Sequence, residues 1–170
     1  MTPDQAVFLL NVFLPSLRKE SETTLRVIRA VPADQGNYRP HGNSRSALEL
    51  VWHTASADIW FLDGFLAGHF EMDDDTMPAD FSNPEEIALW YEENFGPKLD
   101  EVLKLPAAFW ATPLPFFGIF NHPAVLYLQF MLNHTIHHRG QLCAYLRPMG
   151  AKVPNIYGGS FDEPMEPPKT

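Results

Sequence analysis

Cysteine, positive charge and long apolar runs are scarce in this 170-residue chain. The single cysteine, Cys143, cannot form an internal disulfide, and its place on a predicted helix favours a buried, unreactive thiol. Lys and Arg number 12 against 21 Asp and Glu, and the formal charge of −9 argues against binding to nucleic acid or anionic lipid. No apolar run approaches the roughly 18 residues of a membrane span, and the first residues do not follow the pattern of a secretion signal. We therefore expect a cytoplasmic protein without nucleic-acid or membrane partners.

Several motifs that identify common enzyme classes do not occur in the sequence. A CxxC pair, the GxGxxG of dinucleotide-binding proteins, the phosphate-binding P-loop and the GxSxG of hydrolases are all missing. Thr135 stands where the HExxH signature of zinc peptidases has its glutamate. A ferritin-type di-iron site is unsupported because no two Glu-x-x-His pairs occur.

What the sequence does contain is a helical pattern and many aromatic residues. Hydrophobic residues make up 45% of the chain, which fits one globular domain over residues 1–170. Apolar residues recur at helical spacing in four stretches separated by proline and glycine. The first covers about 3–30, the second about 44–68, the third opens at 82–85 and ends before Pro106, and the fourth runs from about 121–123 to before Pro148 or Gly150. This pattern predicts an all-α protein, a four-helix bundle.

The segments outside these helices carry separate predictions. Residues 71–80 are acidic, and we expect them to form an exposed loop. Residues 110–120 are apolar and contain two prolines, which fits either a short extended ribbon or a segment packed over the end of the bundle. The Pro/Gly-rich C-terminal tail, about 150–170, should lack regular structure.

Prolines and capping residues mark where the helices begin or break. Pro15 should kink or interrupt the first helix, and Gly96 with Pro97 weakens the continuity of the third. A capping box pairs the residue before a helix with a Glu or Gln three positions later. Such boxes are predicted at Thr2, Ser46 and Ser82.

Histidines at helical spacing are the most informative feature of the chain. His134 and His138 are four residues apart on the fourth predicted helix, so both imidazoles lie on one face and can reach the same metal ion. His53, in the middle of the second helix, is the best third ligand because its neighbours are apolar. Ser56 and Ala57 are small and would leave room for a solvent-filled pocket. Three neutral ligands with an open position form the layout of a catalytic metal centre.

The same residues also allow an ordinary explanation. A His pair at this spacing is a weak signal by itself, and an inward His53 could be a hydrogen-bonded core residue. His41 and His69 fall in or beside loops, and His122 lies at a helix start, so each fits a surface or capping role. His137 is rotated away from its neighbours and should lie at a helix flank or in a helix contact.

Two segments together resemble the DinB family. They are Glu49-Leu50-Val51-Trp52-His53 and, some eighty residues later, Asn133-His134-(x)3-His138-Arg139-Gly140-Gln141. The resemblance covers the chain from the first helix to about Tyr157. It implies a bundle with an up-down-down-up course and a long crossover between the second and third helices.

The resemblance also implies a site and an activity. A divalent metal, either nickel, zinc or iron, would be held by three histidines, here His53, His134 and His138. Some relatives are thiol-dependent S-transferases, homodimers are common, and the family name refers to DNA-damage induction. We therefore expect a metal-dependent enzyme with an open coordination position, such as a thiol S-transferase or a hydrolase. Its partners would be a small-molecule substrate and a low-molecular-weight thiol.

Other functions, and several roles for the residues near the histidines, remain open at this point. The bundle could instead be a non-enzymatic stress-response or binding protein with a structural or vestigial metal, or a haem or small-ligand binder. Gln141 would orient a ligand or support the metal site, or be an ordinary polar residue near the helix end. Arg139 would pair with a carboxylate on a neighbouring helix or bind substrate. Glu49 would act as a base, as a hydrogen-bond acceptor behind the ligands, or only as a cap.

Overall fold

The computed structural model describes residues 1–72 and 74–165 and is mostly helical. Five α-helices and one two-stranded antiparallel sheet occur in these residues. In chain order they are α1 (Pro3–Arg29), α2 (Ala47–Ala67), α3 (Pro84–Val102), α4 (Ala107–Ala111), β1 (Pro113–Phe116), β2 (Phe120–Pro123) and α5 (Tyr127–Leu146). Short 3₁₀ turns precede α2 at Ala33–Gln35 and α5 at Ala124–Leu126.

The first three long helices all begin with a capping box. In each box the cap side chain accepts a backbone N–H three residues later, and the residue there reaches back to the backbone of the cap. The boxes at Thr2 and Ser46 confirm their predictions. The third predicted box is wrong by one residue, because the cap is Asn83 with Glu86 rather than Ser82.

Helix α2 lies at the centre of the molecule and packs against both α3 and α5, while α1 contacts α3, α4 and α5. Twelve of the 21 residues of α2 are buried, so this helix is apolar around most of its circumference. The core continues through buried aromatic side chains such as Phe65, Tyr91, Trp110 and Tyr127. The burial of α2 therefore holds the backbone of any functional side chain on this helix in a fixed position.

Prolines inside α1 and α3 do not end these helices. Of the kink or interruption predicted at Pro15, the interruption does not occur, because α1 continues from Pro3 to Arg29. Helix α3 likewise runs through Pro97 to Val102. A proline removes one backbone hydrogen bond from a helix. Leu10 and Leu17, on either side of Pro15, are buried, so packing of the apolar face offsets that loss.

The apolar segment before α5 forms a hairpin. Strands β1 and β2 pair from Pro113 opposite Pro123 to Phe116 opposite Phe120, which agrees with the extended ribbon considered for residues 110–120. The predicted start of the fourth long helix at 121–123 is wrong, because these residues belong to β2 and α5 begins at Tyr127. Its end at Leu146, before Pro148, is as predicted.

The last described residues, 151–165, contain bends rather than helix or strand, and they lie along the surface. Part of the predicted tail, 166–170, falls outside the described residues. Within the described chain, no helix combines the length and the apolar character needed to cross a membrane.

Candidate metal centre

Three histidines from two helices meet beside the middle of α2. His53 comes from α2, and His134 and His138 come from successive turns of α5. Each offers a ring nitrogen, and these three atoms all lie within 4.8 Å of one another. The Nε2 atoms of His53 and His138 are 3.1 Å apart. The rings predicted from spacing to converge do converge, and the cluster could hold a metal ion.

Hydrogen bonds behind the rings determine which nitrogens carry protons. His53 Nδ1 lies 2.7 Å from a carboxylate oxygen of Asp75, and His138 Nδ1 lies 2.8 Å from Oε1 of Gln141. Both oxygens are acceptors, so each Nδ1 carries the hydrogen. In the neutral rings the two facing Nε2 atoms are then both unprotonated. Two lone pairs that face each other at 3.1 Å are unfavourable without a cation, and a shared metal ion would accept both.

Burial keeps the three rings neutral. It is the largest cause lowering the pKa of His134 to about 3, and the neighbouring rings of His138 and His53 lower it further. Burial also lowers the pKa of His53, where Asp75 partly offsets it, and the pKa of His138. Neutral imidazole is the form that binds metals, so the cluster is ready to act as a ligand set at physiological pH.

A buried nitrogen of His134 gives an independent indication. Its Nδ1 is buried and has no hydrogen-bond partner among the described residues. An unsatisfied buried polar atom costs about 1–3 kcal/mol and calls for an explanation such as an ion or a water molecule. The donor set therefore fits a divalent ion that prefers imidazole, as nickel, zinc and iron do.

Asp75 is the part of the site that the sequence pattern did not reveal. The acidic segment 71–80 was expected to be an exposed loop, and this is wrong for Asp75, whose side chain is only 23% exposed. Its Oδ2 accepts from His53 and from Arg45 at 2.7 Å each, and its Oδ1 accepts from Ser56 Oγ at 3.3 Å. Asp75 has a left-handed backbone conformation, φ 55°, which Asp tolerates better than most residues. No local sequence signal separates it from the other acidic residues of the loop.

Gln141 and Arg139 have different roles, although both follow His138 closely. Gln141 holds the ring of His138, which supports its predicted place behind a metal ligand. Arg139 is 1% exposed, forms an ion pair with Glu20 of α1 and donates to Tyr157. This confirms the structural pairing with a neighbouring helix, and Arg139 connects α5 to α1 and to the C-terminal segment.

Other predicted candidates lie outside the cluster. Glu49 caps α2 and pairs with Arg39, and the backbone N–H of Ser46 is the main cause that lowers the pKa of its carboxyl group. His137 is exposed at the flank of α5, which is one of the two positions predicted for it. Cys143 is half-buried, and burial raises the pKa of its thiol, which agrees with an unreactive side chain.

A pocket of about 260 Å³ opens beside His53 and His134. Ser56 and Ala57, predicted to leave space next to His53, both line it, and Asp75 lies at its polar side. The remaining wall is apolar and comes from α2, from the crossover segment that connects α2 to α3, and from the β1–β2 hairpin. The histidine cluster is therefore accessible to a small molecule.

Comparison with known proteins agrees with this geometry. The model of the DinB family matches residues 5–169, nearly the whole chain. The chain belongs to the DinB family. The two segments that carried the resemblance contain the three clustered histidines. No match was found among curated proteins.

Solved structures of DinB-like proteins share the fold. One from Bacillus cereus is 25% identical, with a TM-score of 0.71, and the match covers 85% of this chain and 95% of the other. Another, YjoA from Bacillus subtilis, is 21% identical with a TM-score of 0.70, covering 85% and 96% of the two chains. At these identities the likeness supports the common fold and leaves the activity to be argued from the site.

Proposed function

We propose that this protein is a metal-dependent enzyme in which His53, His134 and His138 hold one divalent ion beside an open pocket. The observation that carries the proposal is the approach of the Nε2 atoms of His53 and His138 to 3.1 Å in rings whose Nδ1 atoms each face an acceptor oxygen. Nickel, zinc or iron fits three imidazoles. When bound, such an ion would lower the pKa of a water or thiol ligand and so supply a nucleophile near neutral pH.

The surrounding residues of the chain orient the ligands. Asp75 fixes the tautomer of His53, and Gln141 does the same for His138, so that both Nε2 atoms face the common point. Arg45 holds the Asp75 carboxylate from the solvent side. Phe61 and other aromatic side chains exclude water from one wall of the pocket.

An enzyme is favoured over a structural metal site by the number of ligands. Structural zinc sites are closed by four protein ligands, whereas catalytic sites keep one position open. The cluster found in the described part of the chain has three members and adjoins a pocket. A non-enzymatic bundle with a structural or vestigial metal is the alternative, and a structural site would need a fourth protein ligand.

Thiol S-transfer is the reaction that we propose first, because a thiol at the open position would become a thiolate ready to attack an electrophile. The rest of the proposal follows the family resemblance and the composition. We propose one domain over residues 1–170, a four-helix bundle with an up-down-down-up course, a homodimer and a cytoplasmic setting.

The test compares the protein with and without metal. Protein freed of metal by a chelator, then reloaded with nickel, zinc or iron, is mixed with a panel of low-molecular-weight thiols and an electrophile. We expect the loaded form to consume the thiol faster than the metal-free form. His134→Ala protein, exposed to the same metal, should match the metal-free form because it retains little metal. Equal rates for loaded and metal-free protein across the panel contradict the proposed transfer.

A further inference from the structure

The wall of the pocket beside the histidine cluster is almost entirely apolar. Trp60 and Phe61 project from α2, and Met72 comes from the crossover segment. Phe116 and Phe117 come from the hairpin. The polar lining is confined to the side of the two histidines, Ser56 and Asp75. A molecule in this pocket therefore contacts ligand nitrogens at one end and aromatic side chains along the rest of its length.

Aromatic contacts join the hairpin to α2, so that side chains from both elements form the apolar wall. The rings of Trp60 and Phe117 are nearly parallel, at 23° with centroids 6.0 Å apart. Phe61 and Phe116 are stacked in the same way, at 16° and 6.3 Å. Since α2 is held in the core, these contacts give the pocket a fixed shape suited to a flat group.

Two large apolar side chains at the mouth of the pocket remain accessible to water. Met72 is 79% exposed and Phe117 is 37% exposed. Phe117 also has φ 52°, a left-handed conformation that bulky residues rarely adopt. Exposed apolar groups gathered around a concave polar site are typical of ligand-binding surfaces. The mouth can thus bury further apolar surface when a ligand enters.

The aromatic end of the pocket offers no positive charge to an anionic group. No Lys or Arg belongs to the pocket lining, as far as the chain is described, and the charged side chain there is the carboxylate of Asp75. Arg45 pairs with that carboxylate. At the aromatic end, away from the proposed metal, a carboxylate or phosphate on the ligand would lose water without gaining a counter-charge.

We propose that the pocket binds an uncharged aromatic ring of the substrate, with the donor atom of the substrate directed to the histidine-held metal. This inference rests on the proposed metal-dependent function and specifies its substrate class. The volume of about 260 Å³ agrees with one substituted ring, because an apolar cavity of about 150 Å³ is enough to bind benzene.

Cobalt(II)-loaded protein provides the test, because a thiolate bound to cobalt adds a charge-transfer band that reports binding without catalysis. Three probes are titrated: benzyl mercaptan, 4-(mercaptomethyl)benzoate, which adds a carboxylate to the same ring, and 3-mercaptopropionate, which has no ring. We expect benzyl mercaptan to bind at least about tenfold more tightly than either carboxylate.

Variants at the mouth of the pocket test whether its apolar side chains cause the preference for benzyl mercaptan. Phe117→Ala and, separately, Met72→Ala should weaken benzyl mercaptan binding by about three- to tenfold while leaving 3-mercaptopropionate unchanged. Ile119→Ala is the matched control, since Ile119 is 71% exposed on the same hairpin and does not line the pocket. It should bind all three probes like the unchanged protein.

The outcomes separate the two proposals. Equal affinity for the three probes, or equal behaviour of Phe117→Ala, Met72→Ala and Ile119→Ala, overturns the aromatic pocket while the open metal position stands. Failure of the protein to bind cobalt, or absence of any thiolate band on bound cobalt, overturns the proposed function and this inference together.

Discussion

At the scale of single residues, the site depends on where two protons lie. The Nδ1 atoms of His53 and His138 face oxygens of Asp75 and Gln141, and with a hydrogen on each Nδ1 the neutral rings present two Nε2 lone pairs to each other at 3.1 Å. A core histidine pair would instead share a hydrogen between the rings. The Nδ1 partners therefore favour a ligand set over an ordinary buried pair.

Removing any one of the three ligands should remove most of the bound metal. His53→Ala, His134→Ala and His138→Ala should each lower metal content at least about tenfold, because two imidazoles bind a divalent ion far more weakly than three. Elemental analysis after purification and exhaustive dialysis measures this. His137→Ala, on the exposed flank of α5, is the control and should retain its metal. Full metal content in all three ligand variants would end the proposal.

Asp75 should matter for metal affinity without touching the metal. Asp75→Ala removes the acceptor that fixes His53, and loss of such a partner typically weakens metal binding by about 10- to 100-fold. Asp75→Asn should lose less, since its amide oxygen can still accept the Nδ1 hydrogen. Competition titration with a chelating dye gives the affinities. Asp80→Ala, exposed on the same crossover segment, should behave like the unchanged protein. Equal affinity for Asp75→Ala and Asp80→Ala would contradict the role assigned to Asp75.

At the scale of elements, α2 has to begin at a fixed residue so that His53 lies opposite α5. Ser46 is 4% exposed and accepts the N–H of Glu49 at 3.2 Å, while Glu49 accepts the N–H of Ser46 at 2.7 Å. These two bonds satisfy the first turn of α2 in the interior of the protein.

Loss of this cap should lower stability measurably. Ser46→Ala should decrease the free energy of unfolding by about 1–2 kcal/mol, because a buried N–H at the start of α2 loses its acceptor. Chemical denaturation followed by circular dichroism measures the change. Ser44→Ala, two residues earlier, lies before the cap and should change stability by less than about 0.5 kcal/mol. A similar loss in both variants would show that the cap is not the cause.

Elements that depend on local pattern could be predicted from the sequence, and those that depend on distant contacts could not. The starts of α1 and α2 follow from caps at Thr2 and Ser46, and the end of α5 follows from Pro148. The hairpin was one of two options, because prolines and phenylalanines allow extended structure without requiring it. In the folded chain its rings contact Trp60 and Phe61 of α2, and these distant contacts favour the hairpin.

The same division holds for the site. His134 and His138 could be paired from their spacing, and His53 was found because an inward imidazole on an apolar helix needs a partner. Asp75 could not be predicted, since its contact with His53 depends on the course of a crossover loop 22 residues away in the chain. For Arg139 the sequence predicted a carboxylate partner on a neighbouring helix, but not which one. The partner is Glu20 because α1 packs against α5, and the sequence offers many other carboxylates.

At the scale of the whole molecule, buried charges connect the helices. Asp58 on α2 is 3% exposed and accepts hydrogen bonds from Tyr91 of α3, at 2.6 Å, and from Thr135 of α5. Burial raises the pKa of Asp58 from 3.8 to about 6, against the opposing effects of these two hydroxyls and of the Arg139 charge. Between these two values the folded protein binds more protons than the unfolded chain.

Stability should therefore fall as Asp58 ionises. The folded pKa lies above the unfolded one, so protonation favours the folded state, and this contribution is lost as pH rises toward about 6 and above. Relative to Asp58→Asn, the unchanged protein should lose roughly 2 kcal/mol of unfolding free energy between about pH 4.5 and about pH 7.5. Urea denaturation of both proteins across this range gives the difference. A constant difference between the protein and Asp58→Asn would contradict the assignment.

The most direct test of the whole account is the coordination of the metal. X-ray absorption spectroscopy at the zinc edge, on protein loaded with one equivalent of zinc, reports the number and type of ligands. We predict three imidazole nitrogens at about 2.0–2.1 Å and one exchangeable oxygen from solvent. A sulfur ligand, a fourth protein ligand, or a spectrum with fewer than three imidazoles would contradict the claim that His53, His134 and His138 form an open metal centre.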